Sequence, residues 1–135
     1  MEKPWLKEYP PGVPATLDLD PGESLVDIAD RAIRRFATRP AFSNLGRTIS
    51  YSEFDELSRR FAAWLQGLPG VVPGDRIAIM LPNLIQYPVV LFGAWRAGLV
   101  VVNVNPMYTP PELEHQLRDS GAKVLIVLGQ RTGVF

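Results

Sequence analysis

The spacing of apolar positions along this 135-residue chain changes several times, and each change predicts an element. Residues 1–23 are rich in proline and glycine, which predicts an extended, non-helical arm. Ser24 then precedes a stretch, residues 25–36, whose apolar positions lie three and four residues apart, with Asp27 in capping-box position. We therefore predict a helix that begins after Ser24 and stops before Pro40.

A hairpin and a second helix are predicted next. Two short extended runs within residues 41–50 flank Asn44-Leu45-Gly46, a composition typical of a tight turn. Ser50 and Glu53 form another capping box, so a helix starts there and ends near Gly67. Its apolar face comprises Leu57, Phe61, Trp64 and Leu65.

From residue 76 onward, three apolar runs alternate with two helical patterns. The runs are RIAIML, LVVVNV and KVLIVL. The first is apolar enough for a strand buried on both faces, the second is predicted to be another buried strand, and the third is predicted to be an apolar strand. This alternation implies a parallel sheet with right-handed crossovers. The predicted fold is α/β, a three-layer arrangement of a mainly parallel sheet and flanking helices, preceded by the extended arm and the β-hairpin.

The two helices between these strands have different predicted starts. Asn83 is the expected cap of the first helix, in which Pro88 costs one hydrogen bond. Thr109-Pro110-Pro111-Glu112 predicts the start of the second, as a capping box with two prolines in its first turn. Residues 103–108, just before it, then mark the carboxyl end of a strand that we expect to be central.

Composition and charge narrow the functional classes. Fourteen basic residues balance fourteen acidic ones, so the chain lacks the positive field that nucleic acid binding requires. There are no cysteines, which excludes disulfides and thiolate metal sites and fits a reducing compartment. The first residues carry charges and prolines where a signal peptide is apolar, so we predict a cytoplasmic protein. Residues 77–95 are uncharged, but two prolines and two amides argue against a membrane span.

The candidate site lies where parallel strands end, at Pro82-Asn83 and at residues 103–108. Neither segment contains a nucleophile paired with a base, and helix capping and turn formation explain the asparagines. The single histidine, His115, is expected on the surface, because no second histidine or thiolate accompanies it. Asp18 and Asp20 lack the spacing and terminal glutamate of a calcium loop.

Glycines and carboxylates elsewhere also fit structural roles. Gly67, Gly70 and Gly74 follow a helix and not a strand, and no Lys-Ser or Lys-Thr follows Gly93 and Gly98, so no phosphate loop is predicted. Helix-dipole interactions explain the carboxylates Glu53, Asp55 and Glu56. Core packing explains the aromatic residues Phe61, Trp64, Phe92 and Trp95. The residues alone therefore indicate no catalytic, cofactor-binding or metal-binding residue.

Three stretches nevertheless resemble the beginning of bacterial long-chain fatty acid–CoA ligases, members of the adenylate-forming superfamily. They are EKPWLKEYPPGVPATLD, RPAFSNLGRTISYSEFDELSRRFAAWLQ and GDRIAIMLPNLIQYPVVLFGAWRAGLVVVNVNPMYTPPELEHQLRDSGAK, within residues 1 to about 128. Residues 51–57 and GDRIAIMLPN resemble the superfamily broadly. The arm and NPMYTPPELEHQL resemble the fatty acyl branch.

The resemblance implies activation of a fatty acid by ATP and Mg²⁺ to an acyl-adenylate, followed by transfer to coenzyme A. Members are several times longer, and their phosphate loop, adenylate-binding segment and catalytic lysine would lie beyond residue 135. The resemblance therefore transfers no site residue, and we expect an N-terminal fragment that is inactive alone. Its divisions would be the arm (1–23), an α/β subdomain (24–128) and an atypical tail (129–135), which suggests truncation or a shifted reading frame.

Two other functions stay open. One is a self-standing interaction module, since a cut parallel sheet has unpaired edges, and we expect a homo-oligomer. The other is an unrelated nucleotide or flavin binder of doubly wound topology, which the missing phosphate loop disfavours. Peripheral membrane association is a further open partner, and apolar residues near Tyr87, Trp95 or Met107 could serve a core or an acyl pocket equally.

Overall fold

The computed structural model describes residues 3–18 and 20–129. A 3₁₀ helix at Pro4–Glu8 lies in the arm, and four α-helices and five β-strands follow it. In chain order they are α1 Leu25–Phe36, β1 Pro40–Asn44, β2 Arg47–Ser50, α2 Tyr51–Gln66, β3 Arg76–Met80, α3 Gln86–Arg96, β4 Val100–Asn103, α4 Pro110–Ser120 and β5 Val124–Val127.

The three C-terminal strands form a parallel sheet, as predicted, in the order β4-β3-β5. Ile77 of β3 is level with Val101 of β4 and with Val124 of β5. The strand order corrects one expectation, because β4 is an edge of the described sheet and β3 is central. The chain passes from β4 back across β3 before it adds β5, and the sequence pattern carries no signal for that reversal.

Burial differs sharply between the strands. Ile77, Ala78 and Ile79 of β3 are fully buried, whereas Val100 of β4 is 49% exposed and Val127 of β5 is 41% exposed. The prediction of a strand buried on both faces is therefore confirmed for β3, and the prediction of a second buried strand is wrong for β4. Strands β4 and β5 both lie at edges, and α4 contributes no buried residue that would cover them.

The packing of α2 on α3 depends on small residues. Ser58 and Ala62 of α2 are buried, as are Gly93 and Ala94 of α3. Together with Leu65, Ile77 and Leu99, the alanines of both helices form the largest core cluster. Trp64 does not belong to this core, because it is 49% exposed, which corrects the expectation for that aromatic residue. Because Ser58 faces α3, Trp64, six residues further along α2, lies on a side of the helix that faces solvent.

The capping boxes that the sequence predicts at Ser24, Ser50 and Thr109 are all present. The hairpin is also confirmed: β1 and β2 pair antiparallel around Leu45 and Gly46, both of which have positive φ angles. For Gly46 this conformation carries no steric penalty, but for a leucine it is strained.

The start of α3 differs from the prediction. Asn83 does not cap it; the cap residue is Ile85, and no side chain bonds to the first turn. A turn closed by the Leu84 amide on the Pro82 carbonyl displaces the start to Gln86. Pro88 is consequently the third residue of α3, where a backbone N–H has no intrahelical partner, so the proline costs no hydrogen bond.

The arm also departs from expectation, because Pro4–Glu8 is helical, although it is only a short 3₁₀ segment. Pro4 occupies its first turn, where the fixed φ of proline suits a helix start. Of the predicted tail at 129–135, the residues from 130 onward lie outside the described part of the chain.

Candidate functional site

The direction of the chain across the sheet identifies the candidate site. The β3–α3–β4 unit builds the sheet to one side, and the β4–α4–β5 unit returns past β3 to the other side. In open parallel sheets such a reversal leaves a crevice beyond the carboxyl ends of the strands, where ligands bind. The loop after β3, residues 81–85, lies at this crevice and includes Asn83. Residues 104–109 follow β4 at the same edge of the sheet.

The β-hairpin is tied to the loop after β3. The side-chain amide of Asn44, at the end of β1, donates to the backbone carbonyl of Asn83 over 3.1 Å. Asn44 was expected only to shape the hairpin turn, and no local pattern links positions 44 and 83. This hydrogen bond holds the hairpin tip beside the carboxyl end of the central strand.

A second set of hydrogen bonds joins α3, β4 and α4 at the same edge. The Tyr87 hydroxyl donates to Asn103 Oδ1 over 2.7 Å, and Gln116 Nε2 donates to the Asn103 carbonyl over 3.0 Å. Gln116 Oε1 is buried without a hydrogen-bond partner among the residues that the structure describes. Asn103 therefore fixes the two crossover helices relative to β4, a positioning role that sequence analysis did not identify.

The turn after β4 behaves as the sequence indicates. Asn105 Oδ1 accepts from the Met107 amide over 3.0 Å, and the Asn105 carbonyl accepts from the Tyr108 amide over 3.1 Å. Met107 points away from the protein and is 85% exposed. Asn105 is a turn residue, and none of these groups is arranged as a nucleophile with a base.

An open groove of about 390 Å³ lies between the hairpin, α2 and the start of α3. Its apolar lining comprises Ile49, Leu57, Leu84, Ile85 and Val89, with Leu45 at the hairpin turn. Its polar lining comprises Asn44, Arg47 and Gln86. A second depression, of about 340 Å³, is also lined by Asn44 and Asn83. The described part of the chain thus presents concave apolar surface next to the crevice.

A charged cluster, which the sequence did not predict, joins the first three helices. Arg96 of α3 donates through Nη2 to Asp30 of α1 over 2.5 Å and to Asp55 of α2 over 2.9 Å. Arg59 pairs with Asp55 as well. The Arg96 side chain is only 7% exposed, and its Nε has no partner within the described residues. Asp55 therefore binds Arg96 of α3, in addition to lying near the start of α2.

Glu53, which the sequence singled out, and Asp75, which it did not, both have structural partners. The Ser50 backbone amide and then the Ser50 hydroxyl donate to Glu53 and lower the pKa of its carboxyl below the ordinary value of 4.5. Asp75 has a lowered pKa mainly because Lys123 donates to it, with a further bond from the Val72 amide. His115 lies on the exposed side of α4, as predicted.

The described acidic residues and the glycines before β3 have structural surroundings. Within residues 3–18 and 20–129, no three histidine or acidic side chains come together in a way that could hold a metal. Gly70 and Gly74 adopt positive φ in the turn before β3, and the Gly74 amide is already bonded to the Gly98 carbonyl.

None of the described helices combines the length and the apolar character needed to cross a membrane.

Comparison with known proteins gives concordant matches in sequence and structure. The family described as "AMP-binding enzyme" matches residues 29–134. A long-chain-fatty-acid–CoA ligase of Yersinia pestis is 53% identical over 128 residues, which is 95% of this chain and 23% of that protein. The chain thus spans about a quarter of the length of the curated relatives that it matches.

Two solved structures show the same arrangement of elements. The complex of VinN with L-aspartate superposes with a TM-score of 0.78 at 32% identity, over 84% of this chain and 32% of that one. A benzoate CoA ligase from Burkholderia xenovorans LB400 superposes with a TM-score of 0.72 at 31% identity, over 76% of this chain and 21% of that one.

Proposed function

Because the chain belongs to the AMP-binding enzyme family, we propose that it forms part of a long-chain fatty acid–CoA ligase. The complete enzyme would use ATP and Mg²⁺ to convert a fatty acid to an acyl-adenylate and then to acyl-CoA. The observation that carries this proposal is the 53% identity to such a ligase over 95% of the chain. The same identity supports fatty acids as the substrate class over other carboxylic acids.

Within that enzyme the 135 residues would act as scaffold. Strand β3, whose residues 77–79 are fully buried, provides a rigid base with α2 and α3 packed on it. The Asn103 hydrogen bonds hold the loops at its carboxyl edge. The described residues contain no metal-binding cluster, and the side-chain hydroxyls that bond to carboxylates, those of Ser24, Ser50 and Thr109, are helix caps. We therefore propose that this chain alone does not catalyse adenylate formation.

A chimera tests the scaffold proposal. Residues 1–128 would replace the matched 128 residues of the Yersinia pestis ligase. ATP-dependent formation of acyl-CoA from long-chain fatty acids is the expected result. A matched chimera carrying Gly93→Phe, which wedges α2 from α3, should lose that activity. A soluble, folded wild-type chimera without activity on any fatty acid would contradict the proposal.

The purified 135-residue chain tests the proposal that it does not catalyse adenylate formation alone. We expect no exchange of pyrophosphate into ATP with any fatty acid, and no acyl-CoA. The complete Yersinia pestis ligase serves as the positive control in the same assay. Fatty-acid-dependent exchange by the chain alone would show that its own residues suffice for adenylate formation.

A second candidate function is subunit association through the arm. Trp5, Tyr9, Val13 and Leu17 are all substantially exposed, at 53%, 42%, 49% and 78%. Exposed apolar side chains at such density favour a partner surface, and the outer edges of β4 and β5 offer unpaired strands. Analytical ultracentrifugation should detect a homo-oligomer that a variant lacking residues 1–20 does not form. A monomeric wild-type chain at high concentration would remove this candidate.

We also propose that the protein works in the cytoplasm, either free or peripherally on a membrane. The absence of cysteine from the sequence supports a reducing compartment. Fractionation of cells that express the tagged chain tests the location. Recovery in soluble or salt-extractable fractions is expected, and recovery outside the cytoplasmic membrane would contradict it.

A further inference from the structure

We infer that the outer face of α1 binds the same face of a second copy of this chain, with the two helices running in opposite directions. The face is formed by Leu25, Ile28, Ala32 and Arg35. It shares no residue with the arm, with the sheet edges, or with the crevice and the grooves beside it. The inference also requires no ligase activity, so it stands apart from the proposed enzyme.

An apolar row runs along this face. Leu25, Ile28 and Ala32 are three and four positions apart, so their side chains lie one above the other on the helix. Leu25 is 57% exposed and Ile28 is 45% exposed, whereas Ile33, on the inner side of α1, is buried in the core. Solvent-facing rows with this spacing are the seams along which two helices pair. Helix α1 therefore has one apolar side packed against its own domain and a second one exposed to solvent.

The two ends of the row have complementary shapes. Leu25 projects at the start of α1. An open depression of about 510 Å³ lies along the later turns and is lined by three apolar residues and three arginines: Ile28, Ala32, Phe36, Arg31, Arg34 and Arg35. When two copies of α1 lie side by side in opposite directions, Leu25 of each enters the depression of the other, as in knobs-into-holes packing. The contact occurs twice about a two-fold axis and closes at a dimer.

Charge determines the direction of pairing. Residues 8–30 contain six acidic side chains and no basic one, and residues 31–52 contain five arginines and no acidic side chain. The sign of the charge thus changes inside α1, between Asp30 and Arg31. Antiparallel pairing places the acidic half of each helix against the basic half of the other, whereas parallel pairing would oppose like charges. An anionic membrane would attract one half of α1 and repel the other, so a second copy fits this face better.

Asp27 supplies the acidic side of the expected contact. The backbone amide and the hydroxyl of Ser24 both donate to its Oδ2, which leaves Oδ1 for a donor of the second copy. The bond from the Ser24 hydroxyl, then the one from the amide, and to a smaller extent Arg34, lower the pKa of Asp27 below its ordinary value. The carboxylate is therefore charged at neutral pH.

Arg35 supplies the basic side. Its guanidinium lies over the Phe36 ring, 5.2 Å from the ring centre, so the side chain is held beside the depression. Arg31, by contrast, is already paired with Glu23 of its own chain. With Leu25 in the depression, the midpoint of the contact lies near residue 30. Position 27 of one helix is then within about one turn of position 35 of the other.

Sedimentation velocity of the 135-residue chain tests the pairing. A single pair of helices buries less area than a standard interface, so we expect a weak dimer in equilibrium with monomer between about 10 µM and 1 mM. Arg35→Glu reverses the charge at two symmetric contacts and should raise the dissociation constant about tenfold. Arg60→Glu, at an exposed arginine of α2, is the matched control and should leave the dissociation constant unchanged.

A mixture of two variants tests the charge contact without depending on loss of binding. The Asp27→Lys and Arg35→Glu chains should each dimerise poorly alone, because each opposes like charges at both contacts. Their equimolar mixture should form a mixed dimer with nearly wild-type affinity, since both contacts then pair opposite charges. Misfolding of either variant would not produce this recovery.

Crosslinking locates the interface, because the sequence contains no cysteine that would interfere. Ile28→Cys and Ala32→Cys chains, mixed and treated with a short bis-maleimide, should join to each other, because positions 28 and 32 of opposite helices lie level. Val72→Cys, which is exposed in the turn before β3, is the control and should join to neither.

Three results would each overturn the inference. They are a wild-type chain that is monomeric at about 1 mM, equal dissociation constants for Arg35→Glu and Arg60→Glu, and crosslinks to Ile28→Cys that are no more frequent with Ala32→Cys than with Val72→Cys. Association through the arm is distinguished by the variant lacking residues 1–20, which loses the arm but keeps α1 and its pairing. The chimera described above reports on the ligase function separately.

Discussion

Gly93 of α3 lies directly against the backbone of Ser58 on α2: a β-carbon at position 93 would stand 2.9 Å from the Ser58 carbonyl oxygen. It would also stand 2.8 Å from Cδ1 of Phe61. A real β-carbon does not approach backbone oxygen so closely, so the two helices can touch here only through glycine. This contact sets the spacing between the helices that cover β3.

Substitution Gly93→Ala should therefore destabilise the protein by roughly 1–3 kcal/mol, the usual cost of an overpacked core. Gly67→Ala is the matched control, because a β-carbon there would meet only the Trp64 and Ala63 carbonyls at 3.5 and 3.6 Å. We expect the control to be neutral or slightly stabilising. Urea unfolding measures both, and equal stability of the two variants would contradict the close helix contact.

The charged cluster at Arg96 gives a second prediction. Replacing Arg96 by alanine leaves Asp30 and Asp55 without their shared partner in a partly buried site, so the free energy of unfolding should fall by about 2–4 kcal/mol. Arg96→Lys should not restore it fully, because an ammonium cannot reproduce the planar fork that bonds to both carboxylates.

Arg118 supplies the control for this cluster. It pairs with Glu114 on α4, but the two side chains are 80% and 67% exposed. Arg118→Gln should change the free energy of unfolding by less than about 1 kcal/mol. If Arg96→Ala and Arg118→Gln had similar effects in urea unfolding, the cluster would not hold α1 against α2 and α3.

Local signals explain what the sequence could predict. The caps at Ser24, Ser50 and Thr109 and the turn at Leu45-Gly46 each depend on residues within four positions of one another, so the pattern contains the whole interaction. The parallel sheet followed from the alternation of apolar runs and helices. The caps and the turn were confirmed because a short stretch of chain determines each of them.

Non-local packing explains the errors. Asn83 was expected only to cap α3, but a turn between Pro82 and Leu84 moves that helix start to Gln86. The contact that Asn83 does make, from its carbonyl to Asn44, spans 39 residues. Arg96 and Asp30 are 66 residues apart, and no periodicity links them. The central position of β3 likewise depends on the direction in which the chain crosses the sheet between β4 and β5. The groove between the hairpin, α2 and the start of α3 could therefore be recognised only in the folded structure, because its walls come from distant segments of the chain.

Acid conditions should weaken the start of α2. Hydrogen bonds from Ser50 lower the pKa of Glu53, so the folded protein binds a proton there less readily than the unfolded chain does. The resulting stabilisation is present above the ordinary value of 4.5 and is lost as the pH falls through the lower pKa of the folded state. Glu53→Gln should thus be less stable than wild type at pH 7, and the difference should shrink towards pH 3.

Urea midpoints at both pH values measure this effect of Glu53. Glu56→Gln is the control, because Glu56 is exposed and pairs only with Arg60 at 3.6 Å. Its difference from wild type should be smaller at pH 7. A Glu53→Gln deficit that persisted unchanged at low pH would show that the carboxylate charge does not stabilise the cap.

The hairpin turn offers a stabilising substitution. Leu45 pays the left-handed penalty of about 1–2 kcal/mol, which asparagine largely avoids. Leu45→Asn should therefore raise the free energy of unfolding by roughly 0.5–1 kcal/mol. Val72→Asn is the control, since Val72 is 56% exposed in the turn before β3 and has no positive φ. Urea unfolding should leave that control unchanged. A loss of stability in Leu45→Asn would mean that the leucine side chain already packs in the free protein.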